Sequence, residues 1–269
     1  MRAGVAREGG CAVAVMAKAP IPGRVKTRLA PPLTPEMAAA LSAAFLRDIT
    51  ENIALAAHEI PMHGYVAYAP AGCEAMFDGM LACRTRFVLA DGAGVTAPDV
   101  AGFGRCLLHA AQALFSRGHD AVCLLNSDSP NLPKALLSRA AAALAEDGDR
   151  VVLGPAEDGG YYMLGLKAPH RHLFADIAWS TCDVAEQTRA RARALGLPLV
   201  ELDPWYDVDD AAALHRLSRD LGSGRPLGSL APYPAPATKE CLARLRIRER
   251  LDRSVLAAGG VRIVNRARV

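Results

Sequence analysis

The sequence predicts an α/β protein, a three-layer sandwich with a mostly parallel central sheet. Three observations carry that expectation. Short apolar runs such as "CAVAVMA" (11–17) and "DAVCLLN" (120–126) lack polar alternation, as strands buried on both faces do. Longer stretches with helical apolar spacing lie between them. Strands and helices alternate along most of the chain, the signature of crossover connections.

Taken in order, residues 1–10 are polar and glycine-bearing and read as a loose leader. "CAVAVMA" is the first strand, followed by the loop "MAKAPIPGRVKTRL" (16–29), which crowds Lys18, Arg24, Lys26 and Arg28 among prolines and a glycine. The next helix starts with Thr34 as N-cap and Pro35 at its first position. "GYVAYAP" (64–70) and "RTRFVLA" (84–90) are strands. A helical stripe between Gly104 and Gly118 ends on a C-cap glycine. "DAVCLLN" runs into "SDSPNLP" (127–133) and then the helix "KALLSRAAAALAED". "RVVLGPA" (150–156), the turn "EDGG" and "YYMLGL" (161–166) break the alternation, since a short turn between strands makes an antiparallel pair. A helix at 183–196, a strand at 198–203 and a helix at 207–222 complete a compact domain of 11–222. The Pro/Gly/Ser-rich stretch 223–236 reads as a linker, and 237–269 as a basic helical tail with Leu242, Leu245, Leu251 and Val255 at near-helical spacing.

At 269 residues, 51% hydrophobic and 22% charged, the chain can bury a full core and does not resemble a disordered one. From Lys239 onward nine cations meet three anions, so the tail carries +6 and the remainder −3 of a net +3. That tail offers a face for the domain or for a second copy. It lacks the interleaved aromatics and motifs of a nucleic-acid binder, so no nucleic-acid partner is expected. No apolar run approaches the roughly 20 residues that span a bilayer. Seven cysteines without CxxC spacing read as buried free thiols in a reducing compartment, which places the protein in the cytoplasm.

Ligands of open α/β sheets bind at the carboxyl ends of the strands, and three polar clusters fall there. In the first, Gly23 would let the backbone approach a ligand, the cations suit a di- or triphosphate, and the next helix would offer its positive end. The alternative is a solvated basic loop. In the second, Asp128 leaves a strand flanked by the hydroxyls of Ser127 and Ser129. It is placed to hold Mg²⁺ or Mn²⁺, or else Asp128 or Ser129 caps the next helix. The third comprises Glu157, Asp158, Gly159 and Gly160, with Asp207 and Asp209 in "DVDD". Here the acids could meet a sugar hydroxyl, a metal or a reacting proton. Equally, the first four residues could be a plain hairpin turn, and one of the two later aspartates an N-cap with the other a second metal ligand. "PHRHLF" reads as surface histidines, and Trp205 and Tyr206 as packing residues.

"MAKAPIPGRVKTRL", "NSDSPNLP", "LGPAEDGGYYMLGL", "IAWSTCDV" and "DVDD" follow the order and spacing of a bacterial family. Over about residues 11–245 the chain resembles the transferases related to 2-phospho-lactate guanylyltransferase, often labelled glycosyltransferases and including arsenosugar-biosynthesis members. The resemblance implies the nucleotide-diphospho-sugar transferase fold, the A-type glycosyltransferase fold. It also implies a nucleotide-activated donor, a small-molecule acceptor and a divalent metal. Lys18, Gly23, Arg24, Lys26, Arg28 and Ser127 would then face the nucleotide and its phosphates, and Asp128 and Asp209 the metal. Asp158 and Lys26 would serve catalysis, with Gly159, Gly160, Tyr161, Trp179, Ser180 and Thr181 on the acceptor side. Asn126 stands where such members carry a small glycine, and "SDS" has one aspartate where a full DxD has two. Glycosyl transfer is the expected chemistry, with nucleotidyl transfer next and a nucleotide-binding protein without turnover third.

Overall fold

The computed structural model describes residues 8–223, 226, 229–247 and 249–251. Seven strands form one sheet: β1 (Cys11–Lys18), β2 (Met62–Ala69), β3 (Arg86–Leu89), β4 (Ala121–Leu125), β5 (Val151–Pro155), β6 (Tyr161–Leu166) and β7 (Leu199–Glu201). Their order is β3-β2-β1-β4-β6-β5-β7. All neighbours pair in parallel except around β6, which is antiparallel to β4 and β5. The expected hairpin is therefore present, and its second strand is inserted between β4 and β5. The amino end of β6 thus joins the carboxyl ends of the parallel strands on one rim.

Alternate residues of β1 feed two cores. Cys11, Val13 and Val15 pack on the face covered by α1 (Pro35–Ala56), α3 (Lys134–Ala145), α5 (Ala211–Ser223) and α6 (Pro236–Arg244). Ala12, Ala14 and Met16 pack on the face covered by α2 (Phe103–Ser116) and α4 (Val184–Ala194). Burial on both sides is why the strands read as unbroken apolar runs. Thr34 caps α1 as expected, its hydroxyl accepting from the Met37 N–H at 3.3 Å.

Several expectations are corrected. The helix expected at 207–222 begins only at Ala211; Asp210 caps it by accepting from the Ala213 N–H at 2.8 Å, so neither Asp207 nor Asp209 is the cap. The cysteines are free, yet Cys83 and Cys182 are exposed and Cys106 is half-buried. Each exposed thiol sits on a loop, where burial does not follow from composition. Pro236–Arg244 forms a helix against α1, with Cys241 and Leu242 buried. Residues 1–7 of the leader and 252–269 of the tail, Val255 included, lie outside the described residues. No helix among the described residues is long and apolar enough to cross a membrane.

Candidate active site

The cationic loop and the later aspartates meet on the same rim. A cavity of about 380 Å³ is lined by Lys18, Arg24, Lys26 and Arg28 together with Ser127, Asp128 and Asp209. Its floor comes from the ends of β1, β2 and β3 (Met16, Ala69, Ala90). Two expectations fail here. The helix α1 presents its flank, Ser42 and Leu46, and not its positive end; the helix whose first residue reaches the cavity is α2, through Phe103. Gly23 does not line the cavity, and a Cβ there would meet nothing within 4 Å. Its φ of 76° shows that glycine serves the turn.

Lys26 is the centre of the arrangement. Its backbone lies in the left-handed region at φ 49°, and its side chain is only 7% exposed. The ammonium sits 2.6 Å from Asp128 Oδ1 and 3.5 Å from Asp209 Oδ1, and donates to the Val208 carbonyl at 2.6 Å. It also lies 5.2 Å from the centroid of the Phe45 ring. Arg28, largely exposed, stands 3.8 Å from the second oxygen of Asp209. The two carboxylates are therefore gathered around a single positive charge. Burial pushes the Asp209 carboxyl above its usual range, and the negative charge of Asp128 adds to the shift.

Asp207 organises the loops behind this pair. It is half-buried and accepts at one oxygen from Asn126 Nδ2 at 2.6 Å and Ser129 Oγ at 2.7 Å. Burial pushes its carboxyl up to about 7. The Val208 N–H donates to the Asp128 carbonyl at 2.9 Å, which closes the stitch between the loop after β4 and the loop after β7. Asn126 thus has a physical role: it supplies one of the donors that hold Asp207. Ser129 is likewise committed to Asp207, and α3 begins after Pro133 without a side-chain cap, so neither Asp128 nor Ser129 caps it.

A second cavity, also about 380 Å³, adjoins the first and shares Arg28, Phe103 and Asp209 with it. Asp158, Gly160, Tyr161, Trp179, Ser180, Thr181, Cys182 and Val184 complete its wall. The Asp158 carboxylate accepts from the Gly160 N–H at 2.9 Å, which orients it within its own turn. Gly159 lies behind that turn at φ 91°, where a Cβ would fall 2.0 Å from the Cys182 carbonyl; it shapes the wall without lining it. Glu157 turns away to pair with Arg216. Trp205 and Tyr206 are buried and stacked on each other, ring centroids 5.7 Å apart, as packing residues. His170 and His172 lie near Asp149 and Asp99 away from both cavities.

Phe103 was not legible as a site residue. It is an apolar residue between two glycines, and only its 47% exposure at the junction of both cavities marks it. Ser42 and Cys106, also in the first cavity, gave no signal because each falls within an ordinary helical pattern.

The family model DUF2064, described as an uncharacterized protein conserved in bacteria, matches residues 52–181. That span includes Asp128, Asp158 and Trp179. Among solved structures, a candidate nucleotide-diphospho-sugar transferase from Desulfovibrio desulfuricans G20 is 28% identical, covering 91% of this chain and 97% of that one at a TM-score of 0.73. The fold is that of the nucleotide-diphospho-sugar transferases. A cytidylyltransferase from Leptospira borgpetersenii serovar Hardjo-bovis aligns more loosely, at 9% identity and a TM-score of 0.48 over 91% of this chain and 97% of that one. No curated protein matches the chain.

Proposed function

We propose that the protein is a divalent-metal-dependent transferase that takes a nucleotide-activated donor, and that it moves a glycosyl group from a nucleotide-sugar to a small-molecule acceptor. One observation carries the reading: four cations and two aspartates from distant parts of the chain line one cavity at the carboxyl ends of the strands. The resemblance to the Desulfovibrio protein, at 28% identity over nearly the whole length of both chains, supports the nucleotide-sugar donor.

The donor set suits a hard cation. Asp128 and Asp209 offer carboxylate oxygens close enough to share one ammonium, while no group of three or more His, Cys, Asp or Glu among the described residues forms a metal cage. Such a site matches Mg²⁺ or Mn²⁺, which bind through one or two carboxylates and complete their shell with substrate phosphates. Bound there, the ion would neutralise the departing diphosphate. Lys26, relieved of the carboxylates, would turn its charge to the phosphates beside Lys18, Arg24 and Arg28. Ser127 would hydrogen-bond the same group. In the transfer, an acceptor hydroxyl oxygen forms a bond to the anomeric carbon. The bond from that carbon to the phosphate oxygen breaks, the electron pair leaves with the nucleoside diphosphate, and Asp158 takes the hydroxyl proton. Gly160, Tyr161, Trp179, Ser180 and Thr181 would hold the acceptor. Seven free cysteines are in keeping with a reducing, cytoplasmic setting.

Nucleotidyl transfer is the second reading, favoured by the presence of four cations, enough for a triphosphate. Calorimetry with nucleoside triphosphates and nucleotide-sugars, each with and without Mg²⁺ or Mn²⁺, separates the two. Nucleotide-sugar binding with release of nucleoside diphosphate is the expected result. Triphosphate binding with release of pyrophosphate would select the second reading, and metal-independent binding without a product would mark a protein that binds without turnover.

A further inference from the structure

The two cavities share three residues but differ in charge. The first sets Lys18, Arg24, Lys26 and Arg28 against Asp128 and Asp209. The second has Arg28 alone against Asp158 and Asp209, so its balance is negative. Arg28 is itself 3.8 Å from Asp209 and reaches into the phosphate cavity, which leaves no cation dedicated to the second space.

The rest of the second wall is aromatic and hydroxylic. The Trp179 ring meets Phe103 edge-on, centroids 5.9 Å apart, and Tyr161 edge-on at 6.5 Å. Ser180 and Thr181 follow directly, and Ser180 is held at a left-handed φ of 66°. Behind this wall the Tyr161 hydroxyl and the Trp179 indole N–H are buried without a hydrogen-bond partner among the described residues. Aromatic faces beside carboxylates and hydroxyls suit a ring whose C–H face is apolar and whose edge carries hydroxyls. A phosphate ester there would face the Asp158 carboxylate, while Arg28 and Asp209 are engaged with the first cavity, and such a like-charge contact acts against binding.

We infer that the second cavity selects an uncharged, hydroxyl-bearing ring as acceptor and rejects its phosphorylated counterpart. The inference rests on the reading of the first cavity as the donor's phosphate site. It also bears on the choice of chemistry, because a nucleotidyl transferase of the kind considered above needs a phosphorylated acceptor.

Trp179 reports on this space. The other tryptophan, Trp205, is buried and donates to Asn131 at 3.2 Å, so an emission change that disappears in Trp179→Phe arises at the cavity. The probes are D-glucose and myo-inositol, each paired with its monophosphate ester, titrated with magnesium pyrophosphate present so that the first cavity is already filled. The neutral member of each pair should act at a concentration roughly tenfold or more below that of its ester. Asp158→Asn should narrow that gap, because it removes the carboxylate that the ion of the first cavity does not neutralise. Esters that bind as tightly as the neutral probes, or neutral probes that leave Trp179 emission unchanged up to their solubility limit, would overturn the inference. Calorimetry of magnesium pyrophosphate alone keeps the two failures apart. If pyrophosphate binds and the sugar pattern fails, only the acceptor inference falls; if pyrophosphate does not bind, the donor-site reading falls and takes this one with it.

Discussion

At the scale of the residue, Lys26 decides how the site is charged. A half-exposed pair of aspartates close to one another would repel, and the buried ammonium between them removes that repulsion. On the proposed function, the same ammonium stands where the divalent ion would sit, so metal and lysine would compete for the carboxylates. Lys26→Met should therefore raise Mn²⁺ affinity in the absence of nucleotide by roughly tenfold, about 1.4 kcal/mol, as read by the loss of free-ion signal in electron paramagnetic resonance. Adding Asp128→Asn should abolish the gain. An unchanged Mn²⁺ affinity in Lys26→Met would mean that the ammonium and the ion do not share a place. The same protein should also be less stable than wild type without metal, since removing one partner leaves charges uncompensated.

At the scale of the element, the docking of α6 depends on a cap supplied from elsewhere. Its own N-cap residue is Ala235, which has no side chain to accept a hydrogen bond. Asp48, buried in the middle of α1, accepts from the Ala237 N–H at 3.0 Å and the Thr238 N–H at 2.6 Å. Burial raises the Asp48 carboxyl above its usual range, and these bonds partly offset that cost. Asp48→Ala leaves both donors without an acceptor and should cost about 1–3 kcal/mol for each one that stays buried. The measurement is the urea midpoint, with hydrogen exchange at Thr238 as the local readout. Faster exchange there without a loss elsewhere would follow from release of α6 alone; unchanged exchange would count against the cap.

At the scale of the molecule, the rim that holds the ligand cavities is tied together by charged loops, while the opposite rim is tied by a separate polar cluster. There Tyr65 donates to Glu8 at 2.7 Å, Arg86 pairs with the same carboxylate, and His119, fully buried, lies 3.1 Å from it. The Tyr65 hydrogen bond, followed by Arg86, holds the Glu8 carboxyl below its ordinary value of 4.5. The folded protein then binds fewer protons than the unfolded one just below that value. The stability Glu8 provides is thus present above the unfolded pKa and lost as pH falls through the folded one. Glu8→Gln should lower the melting temperature by roughly 2–4 °C at neutral pH if one net hydrogen bond is lost. The gap to wild type should close as the pH drops below the ordinary glutamate range, and a gap that stays constant with pH would contradict the linkage. Because this cluster lies across the sheet from both cavities, nucleotide binding in Glu8→Gln should be unchanged at neutral pH.

The sequence by itself determined the strands and helices, the antiparallel hairpin and the presence of cations and carboxylates at the strand ends. Those features are local: the burial of a strand shows in its apolar run, the start of α1 in Thr34 and Pro35, the turn in Asp158, Gly159 and Gly160. Only the tertiary structure decided which charges neutralise which. Lys26 and the Val208 carbonyl it binds are 182 residues apart, and they meet because β1 lies beside β4 and the loop after β7 folds back onto that of β4. The same arrangement made Asp210 the cap of α5, tied Asp207 to Asn126 and Ser129, recruited Phe103 and divided the rim into one positive and one negative cavity. Ion pairs, caps and cavity charge act over a few ångströms of space, and distance along the chain carries almost no information about that separation.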